Sequence, residues 1–134
     1  MSFFRTRHRP MLLCAAIAVT LLALAHSTMP SVYVWHIAAA FAVAMNLNYV
    51  IEAIARQRFV RTEIWFAVGV TALALIGLFT TPLLVIAALL LHAVWDVAKH
   101  LGIGVPFSSQ FTLGCFAVCL AYSGALLFHW VGLT

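Results

Sequence analysis

The chain has 134 residues, of which 66% are hydrophobic and only 7% carry a charge. A soluble domain carries about 25% charged residues to cover its surface, so a water-solvated globule is excluded and bilayer lipid is the expected partner. The net charge of +4 comes from seven basic and three acidic residues. Every Lys and Arg lies near a loop or terminus rather than along a basic helix face, so nucleic acid is not an expected partner.

Residues 1 to 10, MSFFRTRHRP, read as a short basic leader with Arg5, Arg7 and Arg9. The apolar run that follows predicts a first helix over roughly 11–27. It closes on Ala23-Leu24-Ala25, which also fits a signal-peptidase site after a basic and then an apolar stretch. Retention and removal of this segment are both open at this point. A second helix is predicted over about 32–55, carrying His36, Asn46, Asn48 and Glu52. The basic loop Arg56-Gln57-Arg58-Phe59-Val60-Arg61 ends it.

A third helix is expected over 62–79, with Thr62 as N-cap and Glu63 in the first turn, where the helix dipole favours an acid. Thr80-Thr81-Pro82 then forms a turn, with Pro82 suited to the first position of a fourth helix over 82–100. The stretch Leu101-Gly102-Ile103-Gly104-Val105-Pro106 breaks the pattern, and Gly102 suits a C-cap. Ser108 or Ser109 can cap a fifth helix over 109–131. The predicted fold class is therefore all-α, a single domain over 1–134 built as an integral membrane bundle of five transmembrane helices.

With five spans, all seven basic residues fall on one side of the membrane. By the positive-inside rule that side is the cytoplasm, which puts the N-terminus in and the C-terminus out. Ala38, Ala42, Gly69, Gly77, Gly114 and Gly124 are expected where helices approach closely, inside the bundle or against another copy or a larger membrane complex. Cys14, Cys115 and Cys119 lie in apolar runs and read as free thiols. Cys115 and Cys119 stand four residues apart, a spacing that suits a soft metal as well as plain packing.

The stretch His92-Ala93-Val94-Trp95-Asp96-Val97-Ala98-Lys99-His100 carries the strongest chemical signal. His92, Asp96 and His100 recur every four residues and share one helix face. A carboxylate inside a span costs a few kcal/mol unless it is paired or protonated, so Asp96 calls for a reason. His92 and His100 stand about 12 Å apart along the axis, too far to share one metal. Candidate metal ligands are His92, Asp96, His100 and Glu52, with Asn48, Trp95 and Glu63 as further polar members of the site. The group bound would be a transition metal (zinc, iron or copper) or a proton. Against this stands a simpler reading, in which Glu52 pairs with Arg56, Asp96 pairs with Lys99 and Glu63 complements a helix dipole. A second group, His26, His36 and His129, lies near the outer ends of three helices; a pair of them could ligate haem or copper if those helices are neighbours.

The segment LHAVWDVAKH resembles one found in small, uncharacterised bacterial multi-pass membrane proteins, which carry His, then Trp-Asp, then one or two His before a Gly/Pro break. In that pattern a His often precedes the last one, and here Lys99 stands in its place. The resemblance implies that His92, Trp95, Asp96 and His100 form a unit, and a place in a bacterial inner membrane, but no activity. Two functional expectations compete: a polar metal- or proton-binding site in the cytoplasmic half, acting on a lipophilic substrate, and a non-catalytic accessory subunit or small oligomeric transporter. Whether any reaction is catalysed is not assigned by the sequence. The orientation is testable: a phosphatase fused to the C-terminus is expected to be active outside the cell and a fluorescent fusion dark, and the reverse pattern would overturn the helix count.

Overall fold

The computed structural model describes residues 2–132, with side chains described for all of these except 2–8, 11, 23, 109 and 110. Five α-helices follow one another: α1 (Ser2–His26), α2 (Ser31–Arg56), α3 (Val60–Phe79), α4 (Pro82–His100) and α5 (Ser109–Val131), with no strand among the described residues. Four of them, α2 to α5, are long and apolar enough to cross a membrane. The exception is α1, whose apolar part, Leu12–His26, rises about 22 Å against a hydrocarbon core of roughly 30 Å.

Helix limits differ from expectation at two places. α1 starts at Ser2 and runs through Pro10, so the basic leader is helical rather than a separate segment. α3 starts at Val60, two residues before Thr62, and its cap residue is Phe59 in the left-handed region (φ 59) with no side-chain cap. Gln57 is left-handed as well (φ 52), and its N–H with that of Arg58 closes the last carbonyls of α2. The other expected ends hold: Pro82 opens α4, Gly102 follows its C-cap with φ +83, and the Ser108 side chain accepts from Phe111 N–H.

α4 is the central helix and packs against α2, α3 and α5, while α2 also packs on α3, and α1 packs on α5. The core is made largely of small side chains. Ala38, Ala42, Ala74 and Ala88 are fully buried, together with Val70, Val85 and Leu89. Two of the small residues expected at helix contacts, Ala38 and Ala42, thus serve packing within the chain; added Cβ atoms at Gly69, Gly114 and Gly124 would meet nothing within 4 Å. The outside is apolar too, with Trp65, Phe79, Val94, Leu101 and Phe128 largely exposed. In water such a surface would aggregate; in lipid it is the solvated surface.

Gly77 marks a close approach of α3 to α4: a Cβ there would meet Val85 N at 2.8 Å and Val85 Cγ2 at 2.9 Å. Backbone cannot yield as a flexible side chain can, so overpacking here is expected to cost about 1–3 kcal/mol. Gly77→Ala should therefore lower the unfolding midpoint in detergent. Gly69→Ala, which fills open space, should leave the midpoint unchanged or raise it.

Candidate functional site

The Arg56–Arg61 loop and Lys99 mark one end of the bundle, the basic end, with the far end opposite. Toward the basic end, α2, α3 and α4 enclose two linked groups of polar side chains. α4 contributes His92, Asp96 and Lys99, all on its buried face with Val85 and Leu89. α2 contributes Asn46 and Tyr49, which continue the buried stripe of Ala38, Ala42 and Ala53. α3 contributes Glu63 from its first turn.

The deeper group is a chain of contacts between α2 and α4. Asn46 Nδ2 donates to Ala42 O at 2.7 Å, which turns Asn46 Oδ1 toward His92 Nδ1 at 3.1 Å. An amide oxygen only accepts, so His92 Nδ1 carries a hydrogen and donates. In a neutral ring Nε2 is then a bare acceptor, and it faces Asp96 Oδ2 at 3.6 Å. Among the described residues neither of those two atoms has a hydrogen-bond partner, and the residues are 0% and 1% exposed. The other carboxylate oxygen, Asp96 Oδ1, accepts from the Tyr49 hydroxyl. The Tyr49 ring stacks on His92, centroids 5.5 Å apart, and Phe107 and Phe111 cover it from the side of α5.

About one turn nearer the basic end lies the second group, built on Glu63. Its Oε1 accepts from Lys99 Nζ at 2.5 Å and from Val105 N–H at 2.8 Å, and its Oε2 accepts from Trp95 Nε1 at 3.0 Å. Both ionic side chains are 1% exposed. Three donors on one carboxylate, one of them charged, offset much of the cost of removing it from water. Lys99 Nζ also lies 4.2 Å from the centroid of the Tyr49 ring, so the ammonium joins the two groups through an aromatic face.

Of the expected metal ligands, His92 and Asp96 stand side by side. Glu52 pairs with Arg56 at 2.5 Å across one helical turn, at a partly exposed position. Asn48, on the same side of α2, is exposed. His100 is half-buried at the end of α4. Among the described residues no three His, Cys, Asp or Glu side chains are grouped to hold a metal ion. The expected Asp96–Lys99 ion pair gives way to Lys99–Glu63, while Trp95 and Glu63 do belong to the site. Cys119 is buried with its thiol 3.7 Å from Met45 Sδ, and Cys115 is half-buried.

The site expected from the sequence left out Tyr49 and Asn46 and took Asn48 instead. The signal was there: Ala42, Asn46, Tyr49 and Ala53 follow the 3.6-residue period of one face, whereas Glu52 and Asn48 fall on another. His36 is exposed and bonds Val32 O in its own helix, while His26 and His129 both line a cavity at the far end. No family model, curated protein or solved structure matches the chain.

The α4–α5 connection is part of this site. Gly102 and Gly104 both have φ +83, a conformation that disfavours any Cβ. A Cβ on Gly102 would meet nothing within 4 Å, but one on Gly104 would meet Glu63 Oε1 at 2.5 Å and Lys99 Nζ at 3.1 Å. Alanine at either position meets the same positive φ, but only at Gly104 must Glu63 and Lys99 shift to make room. Gly104→Ala is expected to destabilise more than Gly102→Ala, by about 1–3 kcal/mol, the scale of overpacking, read from unfolding midpoints in detergent.

Proposed function

We propose that the chain is a multi-pass membrane protein that binds and relays a proton at a His92–Asp96 centre, in the cytoplasmic half of a five-helix bundle. The observation that carries this reading is the pair of buried acceptors, His92 Nε2 and Asp96 Oδ2, facing one another at 3.6 Å with no hydrogen-bond partner among the described residues. Two bare lone pairs repel, and a single proton between them removes the conflict. On Nε2 it makes an imidazolium beside a carboxylate; on Oδ2 it makes a carboxylic acid beside a neutral imidazole. Both forms are neutral as a pair, whereas loss of the proton leaves one uncompensated negative charge in a site closed to water.

The surrounding residues suit that task. Asn46 holds the ring in the tautomer that presents Nε2 to the carboxylate, and Tyr49 holds the carboxylate through its other oxygen. Lys99 and Glu63 neutralise each other, so they leave the proton on the His92–Asp96 pair as the variable charge. A metal at this pair is the weaker reading. Two donors are half of the usual four, and Glu52, the candidate from a second helix, is engaged by Arg56. The orientation belongs to the same proposal and rests on the one-sided basic residues; an inner-membrane location rests on the resemblance of the α4 segment.

The test is proton flux in vesicles reconstituted with the purified protein and loaded with a pH-sensitive dye. Wild-type vesicles are expected to dissipate an imposed pH gradient faster than empty ones, and Asp96→Asn to slow this by about a hundredfold, the low end of what is lost with a proton-transferring group. Glu52→Gln should leave the flux unchanged. Wild-type flux equal to that of empty vesicles would overturn the relay, and stoichiometric metal released by Asp96→Asn would replace it with the metal reading.

A further inference from the structure

Helix α1 stands apart from the other four in how it packs. It lies on α5, and none of its described residues is buried, whereas α2, α3, α4 and α5 all contribute to the core. Leu12, Leu13, Leu21 and Leu24 are 62–67% exposed. The apolar part, Leu12–His26, is about 22 Å long and falls short of a hydrocarbon core of roughly 30 Å. Lengthening that span toward Ser2 would draw Arg9 into lipid, which a charged side chain resists.

The residues of α1 follow the order of a cleaved export signal. Arg5, Arg7 and Arg9 precede the apolar run 11–22. The length of that run lies within the roughly 7–15 residues of a signal's apolar region, and Ala23-Leu24-Ala25 supplies the small residues that stand before a cut. The structure shows how the bond after Ala25 is presented. Leu24 and Ala25 are exposed in the last turn of α1, and the exposed turn Ser27–Pro30 follows at once. Ser27 Oγ donates to Leu24 O at 2.9 Å and Met29 N–H to His26 O at 3.2 Å. Exposed terminal turns of this kind open at little cost, so the segment can be drawn out into an extended substrate. It lies at the far end, beside Tyr122, which is the outer face in the orientation proposed above.

We propose that the Ala25–His26 bond is a processing site, cut by a membrane-bound signal peptidase after insertion, and that the mature chain is residues 26–134. Water adds across the amide: its C–N bond breaks, Ala25 takes the oxygen as a carboxylate and His26 takes hydrogen as an α-amine. The five-helix bundle is then the inserted precursor, and the four helices of span length, α2 to α5, are what persists. His26 stays with the product, so Tyr122 does not lose its partner along with α1. The inference rests on the proposed orientation but not on the proton relay, because α1 contributes no residue to the His92–Asp96 centre.

The test produces the full chain in bacterial cells with a phosphatase fused to the C-terminus, and reads the first residues and the mass of the purified fusion. Wild type is expected to be active outside the cell, to begin at His26 and to be lighter by residues 1–25. Ala25→Phe sets a bulky side chain against the cut at an exposed position and should leave α1 attached. Leu13→Phe, exposed as well but remote from the cut, should still begin at His26. Phosphatase activity in each variant reports that the chain has inserted. An active wild-type fusion that retains α1 overturns the processing and leaves the orientation standing. An inactive wild-type fusion overturns the orientation and the processing with it. A start at another residue, or a start at His26 that survives Ala25→Phe, overturns the assignment of the site.

Discussion

A carboxylate withdrawn from water has to find its partners inside the protein, and Glu63 finds three on two other parts of the chain. Lys99 and Trp95 reach it from α4, and the Val105 N–H reaches it from the connection to α5. The first turn of α3, the last turns of α4 and that connection are thereby held at one point. Because Lys99 is spent on Glu63, it does not neutralise Asp96, and the carboxylate one turn deeper is left to Tyr49 and His92. The unusual chemistry of the inner pair follows from where the lysine goes.

The bundle was legible in the sequence because apolar runs of span length admit few alternatives in lipid. Helix ends governed by a side chain or a special backbone residue, at Pro82, Gly102 and Ser108, were legible too. The start of α3 was not, since Phe59 caps it in a left-handed conformation that no residue pattern announces. The start of α1 was missed because the basic stretch 1–10 reads as a leader, whereas the helix runs through it, Pro10 included.

The candidate site was half legible. The four-residue spacing of His92 and Asp96 placed them correctly on one face, but continuing the same spacing led to His100, whereas the buried face of α4 turns to Lys99. On α2 the eye is drawn to Glu52, the charged residue, although it is partly exposed and paired within its own helix. The face that does reach α4 is marked by alanines and carries Asn46 and Tyr49. Which acid meets which base depends on how helices 30 residues or more apart in sequence are rotated against each other, as in the Lys99–Glu63 pair. Spacing within one helix does not contain that information.

The connection between α4 and α5 has a consequence for how this chain tolerates change in length. Interhelical loops of membrane bundles are usually the places where tags, protease sites and whole domains are accommodated, because their backbone faces water. Here Gly104 and Val105 are buried, and the Val105 N–H is one of the partners of Glu63. Adding or deleting a residue between Gly102 and Phe107 shifts that N–H off the carboxylate and brings a side chain into the space that Gly104 leaves free. A segment that hydropathy alone would mark as spare linker is therefore as constrained in length as a helical span, and natural variation in loop length is better accommodated at the exposed turns Ser27–Pro30 and Gln57–Phe59.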